Sequence, residues 1–206
     1  MRNFVFIAAF AFAGMISFVP AAHAEFNPAV DTRYDASGNP IDGVEFFKLH
    51  QGNPTGISYS PIQRETVEYH GPYGKGTIVI NTAERRLYLV QGDGTALKYG
   101  IGVGRPGFQW AGVHYVTNKA EWPGWTPPPE MRRRVPNLPG FMPGGPETPL
   151  GARAMYIGST YYRIHGSNEP WTIGQAVSSG CFRMTNDDVT DLYERVHVGA
   201  KVIVVN

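Results

Sequence analysis

The stretch TIVINTAERRLYLV, residues 77–90, sets the fold class, because it holds two short runs of β-forming residues around a polar turn. Thr77–Ile80 and Arg86–Val90 are rich in β-branched, aromatic and aliphatic residues, which is typical of strands. Asn81–Arg85 supplies the turn between them. A third run, Leu97–Val103, follows a glycine-containing turn. We therefore predict a meander of three strands here.

The composition of the chain also favours a mostly β protein. Its 206 residues include 25 glycines and 17 prolines, and aromatic residues make up 13%. This combination is typical of a turn-rich β fold rather than a helical bundle. Further strands are predicted at Met155–Ile157, Tyr161–Ile164 and Lys201–Val205.

One short helix is predicted near the C-terminal end of the chain. Apolar residues recur there at i, i+3, i+4 and i+7, in Val189, Leu192, Tyr193 and Val196. Thr185, followed three residues later by Asp188, resembles a capping box. We therefore expect the helix to begin just after Thr185.

The first 24 residues are predicted to be a cleaved secretory signal peptide. Arg2 gives them a positive start, residues 4–19 are almost wholly apolar, and Ala22-His23-Ala24 resembles a cleavage site. The apolar run is shorter than the roughly 20 residues that span a bilayer, which favours cleavage after Ala24 over membrane anchoring. We expect the mature protein to be exported to the periplasm.

The mature chain is predicted to consist of an extended N-terminal arm, residues 25–73, and one domain, residues 74–206. The arm contains repeated Asn-Pro and Ser-Pro pairs and no sustained apolar period. The mature length of about 180 residues suits a single domain with its own core.

A long irregular loop is predicted between Trp110 and Leu150. It contains Trp122 and Trp125 among prolines and glycines, followed by three arginines at 132–134, so regular structure is not expected. The interval is either a solvated surface loop or a lid whose aromatic and basic side chains meet an extended anionic substrate. Because loops of this length are uncommon without a task, we favour the lid, with both tryptophans as candidate substrate contacts.

The charge balance excludes the strongly basic surface that nucleic-acid binding requires. The chain has 18 Lys and Arg against 17 Asp and Glu, a net charge of +1. No cofactor is predicted. A zinc site formed by His165, Cys181 and His197 would match no known ligand spacing, so no metal is predicted either.

Cys181 is the only cysteine, and exported proteins normally use cysteines in disulfide pairs. It could be a buried small hydrophobe, an intermolecular disulfide partner or a nucleophile. Ser178, Ser179 and Gly180 precede it, and such small residues let backbone N–H groups converge beside a thiol as an oxyanion hole. Arg183 adds positive potential that favours the thiolate. We therefore favour the nucleophile.

His165 is the best candidate for the base that a thiol nucleophile needs. It closes a predicted strand and precedes Gly166, so its ring should emerge at a strand end. Four other histidines lie beyond the signal, at His50, His70, His114 and His197. Tyr162 in the same predicted strand, Ser178 and Arg183 are further candidate substrate contacts.

Together these residues form a pattern: His165-Gly166, then SSGCFRM at residues 178–184. The pattern closely resembles the active-site signature of L,D-transpeptidases. The resemblance covers residues 76–206, since the first two predicted strands and VGAKV at 198–202 are similar to that family's opening and closing strands.

Two positions depart from the family pattern. Many members have His where Ser179 stands and an aliphatic residue where Phe182 stands. The first departure leaves His165 as the only imidazole beside the thiol, and the second changes the packing beneath it.

The resemblance implies a β-sandwich-like catalytic domain that acts on peptidoglycan stem peptides. Cys181 would attack the diaminopimelate carbonyl before the terminal D-alanine of a stem tetrapeptide and form a thioester. His165, oriented by the backbone carbonyl of Gly166, would hold the thiolate as an ion pair, so the pKa of the thiol should lie below its ordinary value of about 8.5. Backbone N–H groups of Gly180 and Cys181, with Ser179 beside them, would bind the oxyanion.

Three acceptors are compatible with this chemistry. The amine of another stem gives a 3-3 cross-link, which we rank first; a lysine of an envelope protein gives a tether; water gives an L,D-carboxypeptidase. A sortase-like transpeptidase and a papain-like peptidase fit less well, the latter because its nucleophile precedes its histidine. A non-catalytic wall-binding module is the alternative from another class, and it would not need the thiol.

Overall fold

The structure is a computed structural model that describes residues 61–135 and 137–206. The predicted signal peptide and residues 25–60 of the predicted arm lie outside the described residues. Within the described part of the chain, no helix is both long and apolar enough to cross a bilayer.

The predicted meander is confirmed as the first part of a mostly β fold. An edge strand, β1 (Glu65–Glu68), precedes β2 (Ile78–Asn81), β3 (Arg86–Val90) and β4 (Thr95–Gly100). β2 pairs antiparallel with β3, β3 with β4, and β4 with β1. The edge strand β1 was not predicted from the sequence. Alternate residues of β2 and β3 point into the core because side chains in a strand alternate between its two faces; these are Ile78, Ile80, Leu87 and Leu89.

A short pair of strands lies beside the main sheet. β5 (Val103–Gly104) runs parallel to β9 (Ala176–Ser178). The predicted third strand, Leu97–Val103, is thus divided between β4 and β5. β9 ends at Ser178, three residues before Cys181.

The long strand β6 (Gly112–Glu121) makes the main sheet curl. Its first half pairs with β11 (Lys201–Val205), which also runs parallel to β2. Its second half pairs with β7 (Arg153–Ile157), and the register shifts between Val116 and Asn118. A bulge of this kind bends a strand and increases its twist. The sheet therefore wraps around one core.

Two more strands complete the sheet at its far edge. β8 (Arg163–His165) pairs antiparallel with β7, and β10 (Phe182–Arg183) pairs parallel with β8. The resulting nine-stranded order is β1-β4-β3-β2-β11-β6-β7-β8-β10. This curled, mostly β architecture agrees with the predicted fold class.

The expectation of irregular structure throughout Trp110–Leu150 is wrong in two places. β6 occupies the first part, and a short helix, α1 (Pro129–Arg134), lies in the middle. β6 shows no clear apolar alternation because both of its faces are partly exposed, including Val113 at 57% and Tyr115 at 51%. α1 begins at a proline, which suits the first position of a helix.

The predicted helix is confirmed as α2 (Asn186–Arg195), and so is its cap. The Thr185 hydroxyl accepts a hydrogen bond from the Asp188 backbone N–H at 3.2 Å. Val189 and Leu192 are fully buried in the main core. The apolar spacing in the sequence thus identifies the face that packs against the sheet.

A lysine from β6 donates hydrogen bonds to backbone carbonyls at the C-terminal end of α2. The Lys119 Nζ donates to the backbone carbonyls of Tyr193 and Val196, at 2.6 Å each. These are among the last carbonyls of a helix, which have no partner within the helix. Lys119 therefore joins the centre of the curled sheet to α2.

Removing the cap hydroxyl at constant volume should destabilise the protein. We expect Thr185→Val to lower the free energy of unfolding by about 1 kcal/mol, because the Asp188 N–H loses its acceptor. The measurement is a urea unfolding curve. Thr190→Val is the matched control: its hydroxyl donates to the Asn186 carbonyl within α2, a bond that adds little to helix stability. Equal losses for the two variants would contradict the capping role.

Candidate active site

The parallel pairing of β8 with β10 brings the predicted site residues together. Phe182 lies beside Ile164, and Arg183 beside His165. Ile164 and Phe182 are 0% and 1% exposed and point into the core. Because side chains alternate along a strand, the residues on either side of them point to the opposite face. That face carries His165 and Arg183, with Cys181 next to the strand end.

The His165 ring is held in one tautomer by its own chain. Its Nδ1 lies 2.6 Å from the Gly166 carbonyl oxygen, which can only accept, so Nδ1 carries the hydrogen. In the neutral ring Nε2 is then free to accept a proton. A Cβ at position 166 would lie 2.4 Å from the Asn186 Oδ1, and that oxygen already accepts from the Ala152 N–H. Position 166 therefore requires glycine.

Cys181 and His165 line the same cavity, which has a volume of about 400 Å³. Cys181 is half-buried, and its Sγ donates to the Tyr161 backbone carbonyl at 3.8 Å. The rest of the wall mixes apolar, neutral polar and charged side chains: Phe108, Trp125, Pro128, Glu130, Met131, Pro149, Leu150, Thr160, Tyr161, Tyr162, Arg163, Ser178, Ser179 and Arg183. A thiol and an imidazole thus face a space large enough for a peptide segment.

Burial sets the protonation states of the two groups. It raises the pKa of the Cys181 thiol, against the opposing charges and hydrogen bonds of Arg163 and the charge of Arg183. It lowers the pKa of His165 to about 3, helped by the charge of Arg183, while the Gly166 hydrogen bond opposes the shift. Both groups are therefore neutral at neutral pH. This is opposite to the ion pair expected from sequence, because burial penalises both charged forms.

Arg183 forms an ion pair with an acidic residue that the sequence analysis did not single out. Its Nη1 lies 2.6 Å from the Glu169 Oε2, and both side chains are largely buried. The backbone of Arg183 also exchanges hydrogen bonds with Gly102. Arg183 is thus tied to two neighbouring segments beside the thiol.

Arg163 is a second cation in the cavity wall that the sequence analysis missed. Its Nη1 donates to the Tyr161 carbonyl at 3.0 Å, whereas its buried Nε has no partner among the described residues. It stands two residues before His165 in β8. Period-two alternation in a predicted strand is therefore the signal that could have identified it.

The Ser178 hydroxyl organises the loop before the thiol. It donates to the Cys181 carbonyl at 2.6 Å and accepts from the Gly180 N–H at 3.2 Å. The Gly180 N–H is therefore engaged. The N–H groups of Ser179 and Cys181 donate no hydrogen bond to any residue that the structure describes. Of the three predicted oxyanion donors, these two are free.

The remaining predicted contacts divide into two groups. Tyr162, Ser178 and Trp125 line the cavity, and Trp125 is only 6% exposed. Trp122 is 40% exposed and does not belong to the described cavity wall. A contact between Trp122 and substrate stays a prediction.

Comparison with known proteins gives a consistent family match. The L,D-transpeptidase catalytic domain matches residues 75–204. The probable L,D-transpeptidase ErfK/SrfK of Escherichia coli strain K12 is 39% identical over 173 residues, covering 80% of this chain and 53% of the relative. The probable L,D-transpeptidase YbiS of the same strain is 37% identical over 188 residues, covering 87% and 57%. The chain thus spans little more than half the length of these relatives.

A solved structure shows the same fold at low sequence identity. L,D-transpeptidase 3 from Mycobacterium tuberculosis superimposes with a TM-score of 0.50 at 19% identity, covering 63% of this chain and 60% of that one. The domain match, the two relatives and the shared curled sheet lead to one conclusion: this chain belongs to the L,D-transpeptidase family.

Proposed function

We propose that the protein is a peptidoglycan L,D-transpeptidase with Cys181 as nucleophile and His165 as base. The observation that carries the proposal is the position of both residues on one face of two paired strands, in the wall of one cavity. A non-catalytic wall-binding module would need neither the thiol nor a fixed imidazole tautomer. The family match supports the reaction type.

The first half-reaction transfers an acyl group from the stem peptide to the thiol. As the Cys181 sulfur attacks the diaminopimelate carbonyl, its S–H turns away from the Tyr161 carbonyl and the proton passes to the free Nε2 of His165. The tetrahedral intermediate collapses by breaking the bond to D-alanine, whose amine takes the proton from the imidazolium. The products are a thioester and free D-alanine.

The second half-reaction returns both groups to their starting state. An acceptor amine attacks the thioester and gives a proton to His165. A new amide forms as the Cys181 sulfur leaves and takes that proton back from the imidazolium. Gly166 fixes the ring throughout by holding Nδ1. The same neutral pair therefore begins and ends each cycle.

The free N–H groups of Ser179 and Cys181 are the best candidates for the oxyanion hole. A backbone donor aimed at the developing oxyanion is worth about 3 kcal/mol in acyl transfer. The Gly180 N–H, which the sequence pattern also suggests, is occupied by the Ser178 hydroxyl. We assign Ser178 to holding this loop in shape.

The two arginines of the wall receive different roles. Arg183 is already paired with Glu169, which supports a role in positioning the loop. Arg163 lines the cavity, and its Nη1 donates to a backbone carbonyl rather than to a carboxylate, so it is the better candidate to meet a carboxylate of the stem peptide. Arginine suits this task because its guanidinium presents several donors in one plane.

The acceptor is proposed to be an amine rather than water. Trp125, Met131 and Leu150 form an apolar part of the wall, and an acyl peptide that covers this part would keep water from the thioester. We rank the amine of another stem first, giving a 3-3 cross-link, and an envelope-protein lysine second. These substrates, and the signal pattern of residues 1–24, support a periplasmic location.

Replacing the nucleophile should abolish turnover without unfolding the protein. We expect Cys181→Ser to reduce conversion of a stem tetrapeptide at least about a thousandfold, because a serine hydroxyl is a far weaker nucleophile beside a neutral imidazole. Mass spectrometry of the peptide distinguishes transfer, hydrolysis and no reaction. Stability should stay within about 1 kcal/mol. Ser159→Ala, a substitution at an exposed position, is the control and should keep full activity. A Cys181→Ser variant that still joins peptides would show that Cys181 is not the nucleophile.

The neutral pair predicts an unusual pH dependence of acylation. With the pKa of Cys181 raised and that of His165 lowered to about 3, neither group changes its charge between roughly pH 5 and pH 8. The rate of acylation by a carbapenem, measured by intact mass over time, should therefore be nearly constant in this range. Alkylation by iodoacetamide, which needs the thiolate, should keep rising with pH. A change in the acylation rate centred near pH 6.5 would instead indicate that His165 has the usual pKa of a histidine, and would contradict the neutral pair.

A further inference from the structure

The peptide that follows Gly180 needs an external constraint. Gly180 has a φ of +106°, a region that side chains rarely adopt, and a Cβ there would lie 2.4 Å from the Tyr162 ring. Only glycine fits this position. Glycine, however, allows the Gly180–Cys181 peptide to rotate more freely than any other residue would. The direction of the Cys181 N–H is therefore not fixed by local backbone sterics.

An indole supplies that constraint from outside the loop. The Trp110 Nε1–H donates to the Gly180 carbonyl oxygen at 2.8 Å. A trans peptide points its C=O and N–H in opposite directions, and the described residues contain no cis peptide bond. Holding the Gly180 carbonyl on the side of Trp110 therefore turns the Cys181 N–H to the other side, where it has no described partner.

Trp110 is itself held by aromatic contacts on several sides. Its ring stacks on Tyr162 with centroids 4.7 Å apart and an interplanar angle of 11°. Phe182 lies at 5.3 Å in a tilted arrangement, and His114 lies at 5.3 Å edge-on, at 85°. Such contacts favour one ring orientation. The hydrogen-bond donor thus has a defined direction, as a preorganised site requires.

We infer that Trp110 is a positioning residue for the oxyanion hole: its indole N–H fixes the Gly180–Cys181 peptide so that the Cys181 N–H meets the developing oxyanion. This inference rests on the proposed function, because it assumes that Cys181 is acylated. Trp110 does not touch the reacting atoms; it acts through the Gly180 carbonyl. Its contribution should therefore appear in the transition state rather than in substrate binding.

The test removes the indole N–H while keeping an aromatic ring. For Trp110→Phe we expect kcat for stem-peptide transfer to fall about tenfold, less than the loss of a direct oxyanion donor, with KM within about twofold. Alkylation by iodoacetamide forms no oxyanion and should keep its rate. Trp171→Phe, the same substitution at another half-buried site, should leave all three quantities unchanged.

A spectroscopic measurement on the carbapenem adduct separates positioning from simple loss of packing. The carbonyl stretch of the acyl-enzyme, isolated by isotope-edited infrared difference spectra, should move to higher wavenumber in Trp110→Phe because the carbonyl loses a hydrogen bond. Replacing Trp110 by benzothienylalanine, in which sulfur takes the place of the N–H, preserves ring size and should give the same shift. This second variant keeps the test valid if Trp110→Phe is poorly folded.

The outcomes distinguish the two proposals. An unchanged stretch and kcat in both Trp110 variants would overturn the positioning role while leaving the transpeptidase function intact. Equal losses of alkylation and transfer would also overturn it, because they would indicate general damage to the site. A wild-type protein that forms neither transfer product nor adduct would refute the acylation of Cys181 and both proposals with it.

Discussion

The register of the parallel pair β8 and β10 is the constraint on which the site depends. Burial of Ile164 and Phe182 fixes this register, because both side chains fill the core that the curled sheet encloses. A slip of one residue would turn every side chain of β10 to the other face. Cys181 would then no longer share a cavity with His165. Core packing thus decides on which face of the sheet the proposed nucleophile lies, and the loop before it sets its local geometry.

The same burial gives the site its chemistry and makes it sensitive to acid. His165 is neutral in the fold because burial lowers its pKa to about 3. Neutral His165 therefore makes its full contribution to the free energy of unfolding above about pH 6.5, the pKa of histidine in the unfolded chain. That contribution is lost as the pH falls from about 6.5 towards 3. The ring keeps a free Nε2 only because Gly166 binds Nδ1. A conventional exposed histidine at this position would lose its basic form in mildly acidic solution.

The sequence predicts the regular elements well where one face is buried. The alternation in β2 and β3 and the apolar spacing of α2 are visible because one side of each meets the core. β6 was missed since both of its faces are partly exposed. Among the candidate site residues, local patterns identify those beside the thiol, such as Ser178, but give no sign of Trp110. That residue meets Gly180 only through the fold, and no short-range pattern records such a contact.

The central claim is that the stem peptide becomes attached to Cys181 through a thioester. The most direct measurement is intact mass spectrometry of the protein, quenched with acid during turnover of a stem tetrapeptide and followed by peptide mapping. The account predicts a mass increase equal to that of the tetrapeptide minus one molecule of D-alanine, located on Cys181, and removed by hydroxylamine as expected for a thioester. Release of D-alanine with no adduct, or an adduct on another residue, would contradict it.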